Sequence, residues 1–291
     1  MIVVFGSINL DLIFPLPRIP RPGETVAGPS VRQEPGGKGA NQALAAARDG
    51  ARVVMAGAVG RDALADGALV LLRREGVDLT RVAQTDASTG CAGIAVDPAG
   101  NNAICVGSGA NLLARAAQVE DALLEPATTL VLQMEAPPTE TAALIARARA
   151  RGARIVLNLA PAMALPEAAL RAVDLLVVNE TEAAWLGTHL ATGGDAAALR
   201  AALGVDVIRT LGGDGLEAAT AAGVQVVPAR PIVPVDTTAA GDCFVGVLAA
   251  ALDRGAALGV ALQRATVAAA VCCTRSGSQA SIPTAAETER A

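Results

Sequence analysis

The sequence predicts an α/β fold built on a mostly parallel central sheet with helices on both faces. Apolar runs such as IVVFGSI (2–8), TTLVLQME (128–135) and VDLLVVN (173–179) lack polar alternation, as do strands that are buried on both faces. Alanine-rich amphipathic stretches separate these runs, and such alternation of strand and helix is typical of parallel sheets. Two further stretches, 12–35 and 88–107, break the rhythm and predict a small β-sheet that projects as a lid.

The elements predicted along the chain form one domain over residues 1–291, without an internal repeat or a low-complexity linker. The apolar runs predict strands at 2–8, 51–60, 128–135, 153–161, 173–179 and 205–213. The helical periodicity predicts helices at 41–50, 61–76, about 138–151, about 241–254 and about 256–273, and we expect the last two to close the chain.

The two irregular stretches are too long for plain loops in a compact domain, so we expect them to have a function. Residues 12–35 are rich in proline and glycine, and residues 88–107 predict two strands joined by a turn near Pro98 to Asn101. We interpret both as a lid inserted in the α/β body; a β-meander packed on the body is the alternative. An exposed lid edge favours pairing with a second lid, so we expect a homodimer.

The composition argues against several classes of function. Aromatic residues make up only 1% of the chain and the net charge is −5, which is unlike a nucleic-acid-binding surface. No apolar window approaches the length of a membrane span and the N-terminus lacks the basic start of a signal peptide, so we expect a cytoplasmic protein that binds no membrane. The five cysteines lack CxxC spacing and His189 is the only histidine, which favours buried thiols over a zinc site.

Polar side chains lie near the predicted carboxyl ends of several strands, where open α/β sheets bind ligands. They are Asn9, Asp11, Glu135, Asn158 and Asn179. Amides and carboxylates that converge from separate strands suit a ligand with several hydroxyl groups. Any one of them alone is equally well explained as a helix cap or a turn former.

The segment GGKGAN (36–41) contains the only lysine among 23 basic residues. Paired glycines let the backbone approach a ligand closely, and the segment opens a helix whose free N–H groups attract anions or polar oxygens. The segment matches neither the P-loop nor the GxGxxG fingerprint, which disfavours a nicotinamide-dependent oxidoreductase. It therefore predicts a ligand-contacting turn around Lys38.

The segment VDTTAAGDCFVGVLAAAL (235–252) carries the sharpest chemical signal. Its small residues Ala239, Ala240 and Gly241 precede a helix and leave backbone N–H groups bare, which predicts an anion hole for a transferring phosphoryl group. Asp242 beside them has the reach to take a proton from a hydroxyl nucleophile. The alternative is that Asp242 only complements the helix dipole.

Two signatures in this chain resemble those of the ribokinase-like carbohydrate kinases, the PfkB family. The N-terminal signature is similar to residues 36–62 and the C-terminal signature to residues 236–252, in the expected order and spacing. The segments GSINLD, PGET, STG, LNLAPA and NETEA resemble the ribokinase branch in particular. The resemblance covers nearly the whole chain and implies a ribokinase-like three-layer α/β/α fold and an ATP-dependent phosphotransferase with an alcohol group as acceptor.

The resemblance also implies roles for individual residues, in three groups. The acceptor sugar would be bound by Asn9, Asp11, Gly37, Lys38, Asn41 and Glu135, with Asp242 as the base and with Ala239, Ala240 and Gly241 as the anion hole. ATP would contact Asn179, Thr210, Gly212, Gly213, Asp214, Gly215 and Gly241, and Glu182 would organise Mg²⁺ and phosphate through water. A K⁺ ion behind the anion hole would be held by oxygens of Asp236, Thr238, Cys272, Arg275, Gly277 and Ser281.

The implied reaction is transfer of the γ-phosphoryl group of ATP to the O5 hydroxyl of D-ribose. One alternative is a PfkB kinase for deoxyribose, a nucleoside, a keto-sugar acid or a sugar phosphate, the last served by Arg18, Arg21 and Arg32 near the lid. Another is a non-catalytic sugar-binding regulator, against which the intact base and anion hole argue. The chain departs from the common pattern at Leu10, where ribokinases often carry alanine, and at Thr266, where an adenine-facing histidine or asparagine is common.

Overall fold

The computed structural model describes the whole chain, residues 1–291, as two sheets surrounded by helices. The strands are β1 (Ile2–Phe5), β2 (Asn9–Pro15), β3 (Arg32–Gly36), β4 (Val53–Gly60), β5 (Asp78–Thr85), β6 (Gly90–Val96), β7 (Asn102–Gly107), β8 (Thr129–Leu132), β9 (Arg154–Asn158), β10 (Leu175–Asn179), β11 (Asp206–Thr210), β12 (Leu216–Thr220) and β13 (Gly223–Val227). The helices are α1 (Lys38–Arg48), α2 (Ala63–Arg74), α3 (Pro138–Arg151), α4 (Glu167–Leu170), α5 (Glu180–His189), α6 (Ala196–Leu203), α7 (Ala240–Asp253), α8 (Leu258–Cys273) and α9 (Ala285–Arg290).

The large sheet has nine strands in the order β13-β12-β11-β10-β9-β8-β1-β4-β5. The central strand β1 pairs in parallel with β4 and with β8, and its four residues are all buried. Parallel pairing extends from β5 to β11, and only the edge strands β12 and β13 are antiparallel. The mostly parallel sheet that the apolar runs predict is confirmed.

The large sheet separates two apolar layers, and this arrangement confirms the three-layer architecture. One layer of 39 buried residues includes the inner faces of α1, α2, α7 and α8. The other, of 35 buried residues, includes those of α3, α5 and α6. No helix combines the length and the apolar character that crossing a membrane would require.

Helices α1 and α7 pack against each other at very short range. A Cβ atom placed on Gly246 of α7 would lie 2.4 Å from the carbonyl oxygen of Gln42 and 2.6 Å from the Cβ of Ala45, both in α1. Such a contact excludes even one methyl group unless the backbone shifts. The small residues of this contact therefore set the separation of the two helices that carry GGKGAN and the AAGD segment.

The small sheet has the order β3-β2-β6-β7 and is built from the two stretches that the sequence singles out. Its pairs are antiparallel except for the parallel β2–β6 pair. The predicted hairpin of β6 and β7 is confirmed, and Asp97 accepts hydrogen bonds from the N–H groups of Ala99 and Asn101 in its turn. Strand β7 is exposed along its whole length. Below, "lid" denotes this sheet and the chain between its strands β2 and β3.

Several boundaries and elements differ from the prediction. The small sheet starts at Asn9, so Asn9 and Asp11 lie within it and do not merely follow the first strand. The expectation that two helices close the chain was wrong, because α9 follows, with Thr284 and Glu287 bonded reciprocally at its start. One of the cysteines expected to be buried, Cys105, is exposed on β7, whereas Cys243 and Cys272 are buried.

Candidate active site

A cavity of ≈ 250 Å³ opens where strands β9, β10 and β11 end and helix α7 begins. Parallel strands bring their carboxyl ends to one edge of a sheet, and the polar residues that follow them converge there. The chemically active side chains that line the cavity are Lys38, Asn158, Asn179, Glu182, Thr210 and Asp242.

The N-terminus of α7 lies where the sequence predicts an anion hole at Ala239, Ala240 and Gly241, but the N–H of Ala240 bonds Thr237 O at 3.3 Å. Ala239 adopts a left-handed conformation with φ 60° and ψ 5°, which turns the chain into the helix. The N–H groups of Gly241 and Asp242 donate to no protein acceptor, whereas the next N–H, that of Cys243, bonds Ala239 O at 2.8 Å. A Cβ on Gly241 would meet nothing within 4 Å, so the space before these donors is open. Free N–H groups at a helix start suit a phosphate oxygen, so the site fits the phosphates of ATP.

The carboxylate of Asp242 is buried and held from behind by two amides. Asn41 donates to one carboxylate oxygen and Gln42 to the other, each at 2.9 Å. Gln133 donates in turn to Oε1 of Gln42 at 2.6 Å, which fixes the orientation of that amide. Each carboxylate oxygen can accept a further bond, so Asp242 can receive a ligand hydroxyl on its open side.

Lys38 lies between the acceptor and the phosphate parts of the site. The negative charge of Asp242 raises the pKa of the Lys38 ammonium, burial opposes this, and Glu135 and Glu182 raise it further. The side chain therefore stays cationic at neutral pH. The Lys38 ammonium lies among carboxylates from three segments and is placed to contact an anion that enters the cavity.

The residues around β1 and β2 to which the resemblance assigns the acceptor are below called the acceptor side. Oε2 of Glu135 accepts from the hydroxyl of Ser7 at 2.6 Å and from the N–H of Lys38 at 3.1 Å. Oδ1 of Asn9 accepts from Nδ2 of Asn111 at 2.7 Å, and Oδ1 of Asn111 accepts from the N–H of Ile8 at 2.9 Å. The backbone donor thus fixes the orientation of Asn111, which fixes that of Asn9, so Asn9 presents its NH₂ group to a ligand.

Asp11 shows the largest electrostatic perturbation on the acceptor side. Burial raises its pKa to about 7, and the charges of Glu135 and Glu34 contribute in the same direction. Its Oδ1 atom is buried and has no hydrogen-bond partner. A ligand hydroxyl would satisfy this acceptor, so the orphaned oxygen marks a position for a polyol.

The nucleotide side of the site consists of Asn179, Glu182, Thr210 and the turn 212–215. Asn179 caps α5, and its side chain and that of Glu182 bond each other's backbone N–H at 2.8 Å. Burial raises the pKa of Glu182, against the Asn179 hydrogen bond and the positive charge of Lys38. Thr210 lines the cavity, whereas Gly212, Gly213 and Asp214 form an exposed turn beyond it. The nucleotide side therefore combines polar residues in the cavity with the exposed turn 212–214 at its edge, below called the rim.

The loop 274–281 lies behind the anion hole, where the resemblance places a monovalent cation. Both oxygens of Asp236 are directed by backbone donors, Thr238 N–H at 2.9 Å and Gly277 N–H at 3.0 Å. The carbonyl oxygens of Arg275 and Gly277 accept no hydrogen bond. Free carbonyls beside a carboxylate are the hard oxygen ligands that such a cation prefers, so the site fits K⁺.

Cys272 is the one residue with a sulfur-containing side chain among those predicted to hold the cation. Its Sγ lies 3.8 Å from the Thr238 carbonyl and 3.0 Å from the hydroxyl of Ser281. The Ser281 hydroxyl also donates to Ser278 O at 2.7 Å. The Cys272 carbonyl accepts from the Arg275 N–H at 3.2 Å, so one of its two lone pairs remains for a cation.

Most of the residues singled out in the sequence lie together in this one region. Lys38, Asn41 and Asp242 are joined by hydrogen bonds or mutual charge, and the acceptor residues adjoin them. Sequence reasoning missed four buried residues that orient the others, namely Ser7, Gln42, Asn111 and Gln133. Gln42 and Gln133 carried a usable signal, because each interrupts an apolar element with a polar group that must find a partner.

Comparisons with known proteins agree over nearly the whole chain. Residues 1–285 match the model of the pfkB family carbohydrate kinases. The ribokinase of Bacillus subtilis is 36% identical over 291 residues, which cover 99% of this chain and 98% of that protein. The crystal structure of ribokinase from Thermotoga maritima superposes with a TM-score of 0.91 at 32% identity and covers 99% of this chain and 98% of that one.

A further solved structure was obtained with ligands. Arabidopsis thaliana ribokinase complexed with ribose and ATP has a TM-score of 0.89 and 27% identity, with 99% of this chain and 97% of that chain covered. Family match, sequence identity and structural similarity thus extend over the same residues that form the anion hole, the buried carboxylate and the two sheets. The chain belongs to the pfkB family of carbohydrate kinases, which are ATP-dependent phosphotransferases.

Proposed function

We propose that this kinase is a ribokinase, which transfers the γ-phosphoryl group of ATP to the O5 hydroxyl of D-ribose and yields ribose 5-phosphate and ADP. The observation that carries the proposal is the position of Asp242. Its carboxylate faces the same cavity as the free N–H groups of Gly241 and Asp242, and it borders the polar acceptor side. The similar ribokinases, one of them complexed with ribose and ATP, support the choice of sugar.

In the proposed reaction Asp242 accepts the proton of the acceptor hydroxyl as the new O–P bond forms. Asn41 and Gln42 hold the carboxylate so that its free lone pairs face the hydroxyl. The N–H groups at the start of α7 and the ammonium of Lys38 stabilise negative charge on the transferring group. Residues of the lid exclude water, which would otherwise compete with the sugar as acceptor.

The acceptor side favours a neutral polyol over a charged substrate. The charges of Glu34 and Glu135 both act on Asp11, so three carboxyl groups lie near one another there. They would repel a sugar acid or a sugar phosphate, whereas each can accept hydroxyl hydrogens. Arg18, which was considered as a phosphate ligand, is exposed and paired with Glu24 within the lid. This charge pattern supports ribose over the phosphorylated and acidic alternatives.

Two metal ions belong to the proposal. Glu182 would organise Mg²⁺ and phosphate through water, and the ion would neutralise phosphate charge during transfer. Asp236, Thr238, Cys272, Arg275, Gly277 and Ser281 would hold K⁺, in line with the free carbonyls in that loop. Because the cation loop and the start of α7 adjoin, K⁺ would support the geometry of the anion hole.

Assembly and location complete the proposal. The exposed edge strand β7 carries Ile104 and Val106, which are 54% and 58% exposed. An exposed apolar edge strand is a template for pairing with a second sheet, so we assign a homodimer that forms through the lid. The enzyme would act in the cytoplasm, where ATP is available.

The test is ADP release from ATP and Mg²⁺ over a panel of acceptors, each assayed with K⁺ and with choline in its place. The panel contains D-ribose, 2-deoxyribose, a nucleoside, a keto-sugar acid and a sugar phosphate. We expect the highest kcat/KM for D-ribose, raised by K⁺. Preference for another acceptor would overturn ribose but keep the kinase. Ribose binding without turnover on any acceptor would favour the non-catalytic regulator.

A further inference from the structure

One face of lid strand β3 points at the loops predicted to hold the monovalent cation. Arg32 and Glu34 alternate with Gln33 along the strand, so both lie on the same face. Oε2 of Glu34 accepts from the N–H of Ser278 at 3.2 Å. This hydrogen bond joins the lid to residues 244 positions later in the chain, in the loop 274–281.

The Glu34 carboxylate lies close to the backbone of the loop 274–281. A Cβ on Gly277 would lie 2.9 Å from Oε2 of Glu34, so the carboxylate rests against the loop backbone. Gly277 has φ 100°, a left-handed conformation that favours glycine. The loop is therefore shaped so that the Glu34 carboxylate can reach the N–H of Ser278.

The same loop is linked to a predicted cation ligand and, through Asn41, to Asp242. Gly277 N–H donates to Asp236 at 3.0 Å, on the side predicted to hold the cation. Burial would raise the pKa of Asp236, yet hydrogen bonds from Thr238 and Gly277 and the charge of Arg32 lower it. The Ser278 hydroxyl lies 3.5 Å from Oδ1 of Asn41, the residue that donates to the catalytic base.

Glu34 also borders the acceptor side. It pairs across the strands with Asp11, whose pKa its charge helps to raise. The Glu34 carboxylate thus contacts the loop 274–281, and Glu34 lies opposite Asp11, a residue proposed to bind the sugar. No other hydrogen bond or ion pair joins the small sheet to the loop 274–281.

We propose that Glu34 is a positioning residue that couples lid closure over the sugar to occupancy of the cation site. The inference rests on the proposed function, because it takes ribose and K⁺ as the two ligands. Sugar binding would hold the lid in the position seen here, with Glu34 against Ser278. The cation orders loop 274–281 and presents the Ser278 N–H. Binding of the sugar therefore positions the Glu34 carboxylate, and binding of the cation positions the Ser278 N–H that donates to it.

Thermodynamic linkage makes this coupling measurable from both directions. If K⁺ tightens ribose binding by some factor, ribose must tighten K⁺ binding by the same factor. Coupling between ligand sites is commonly about 5-fold to 150-fold, and we expect about 10-fold here. Removing the Glu34 contact should reduce the factor without removing either binding site.

The experiment is calorimetric titration of D-ribose into the nucleotide-free full chain, in K⁺ and in choline. The reciprocal measurement is the K⁺ concentration that half-saturates the rise in melting temperature, with and without ribose. Neither readout requires turnover. The variants are Glu34→Ala, which removes the carboxylate, Glu34→Asp, which keeps the charge but shortens the reach, and Glu34→Gln, whose carbonyl can still accept.

The matched control is Glu24→Ala. Glu24 is also a lid carboxylate, but it bonds only Arg18 and the N–H of Arg21 within the lid. We expect wild type and Glu24→Ala to show about 10-fold coupling, and Glu34→Ala and Glu34→Asp less than about threefold. Glu34→Gln should retain more of the coupling than Glu34→Ala. Should Glu34→Ala fail to fold, the comparison of Glu34→Asp with wild type decides.

The outcomes separate this inference from the function on which it rests. Coupling that is equal in wild type and the Glu34 variants would overturn the role of Glu34 and leave ribokinase activity and the cation site untouched. A wild type that phosphorylates ribose but shows no K⁺ coupling would overturn this role, and the K⁺ assignment would fall with it if K⁺ also left the melting temperature unchanged. A wild type that binds no ribose would overturn the proposed substrate itself, and the role of Glu34 with it.

Discussion

The acceptor and nucleotide sides of the cleft are built in opposite ways. On the acceptor side Ser7, Asn9, Asn41 and Gln42 are all buried, and protein hydrogen bonds fix their orientation. The nucleotide side ends in the exposed turn 212–215. A site with buried, oriented polar groups rejects ligands that leave those groups unpaired, whereas an open rim tolerates variation. We therefore expect strong discrimination between acceptors, which mutations on the acceptor side should reduce. Mutations of nucleotide contacts at the rim should have small effects.

The largest effect should come from the group where the two sides meet. Asp242→Asn removes the proton acceptor, and we expect kcat for ADP release to fall by about 10²- to 10⁴-fold. Ribose affinity, measured by calorimetry, should change by less than about threefold, because proton transfer is not needed for binding. Asp66→Asn, on the exposed surface of α2, is the control. Near-normal turnover in Asp242→Asn would show that the base lies elsewhere.

The second effect is a pH dependence confined to the acceptor side. The pKa of Asp11 is raised to about 7 in the sugar-free protein, and hydroxyl donors favour its ionised form. Ribose affinity should therefore fall as the pH drops through 7, with KM about 10-fold higher at pH 5.5 than at pH 7.5, while KM for ATP stays nearly constant. Steady-state rates over this range test it. Asp11→Asn cannot titrate, so an unchanged profile in that variant would assign the effect to another group.

A third test concerns the buried orientation of the acceptor ligands. Asn111→Leu removes the donor to Asn9 and the acceptor for Ile8 N–H, and an unpaired buried polar group costs about 1–3 kcal/mol. We expect KM for ribose to rise about 10-fold with little change in kcat or in KM for ATP. Asn101→Leu in the lid turn is the matched control. A parallel rise in both KM values would mean general loosening and would blur the contrast between the two sides.

The smallest effect should appear at the nucleotide rim. A Cβ on Gly213 would meet nothing within 4 Å, so Gly213→Ala should leave the melting temperature unchanged and alter KM for ATP by less than about threefold. In contrast, a Cβ on Gly39 would lie 2.7 Å from backbone atoms of Gly6 and Ser7, and Gly39→Ala should lower the melting temperature by several degrees. The melting temperature and the KM for ATP, measured for both variants, test this difference. Equal behaviour would contradict the difference between the two sides.

The sequence predicts the central architecture because buried parallel strands are continuously apolar. β1, β9 and β10 stand out for that reason. β5, DLTRVAQT, did not, because polar residues recur along it at half-buried and exposed positions. The edge strands β12 and β13 are short and largely exposed or interrupted by small residues, so neither apolar length nor alternation marks them. Among the strands of the large sheet, those at or next to its edges were therefore the ones missed, and the short helices α4, α5, α6 and α9 were missed as well.

The same logic explains which parts of the site could be predicted. Asp242 and Lys38 lie in segments whose glycines and small residues indicate that the backbone comes close to a ligand. Gln42 interrupts an apolar helix, which signals a buried polar contact, but its partners lie 91, 116 and 200 positions away, so the local sequence does not identify its role. Glu34 is similar, since an acidic residue on a lid strand is unremarkable until the fold brings Ser278 to it. Positioning residues are defined by tertiary contacts and are visible only in the structure.

The close contact between α1 and α7 at Gly246 has a consequence for protein engineering. Gly246 leaves no space between the helix that carries Lys38 and the helix that carries Asp242. Libraries that vary this contact would disturb donor and acceptor chemistry together and yield mostly inactive clones. Libraries confined to β2, β3 and β6 would vary the walls that meet the sugar while the reactive groups keep their spacing. Directed evolution toward new acceptors should therefore begin in the lid.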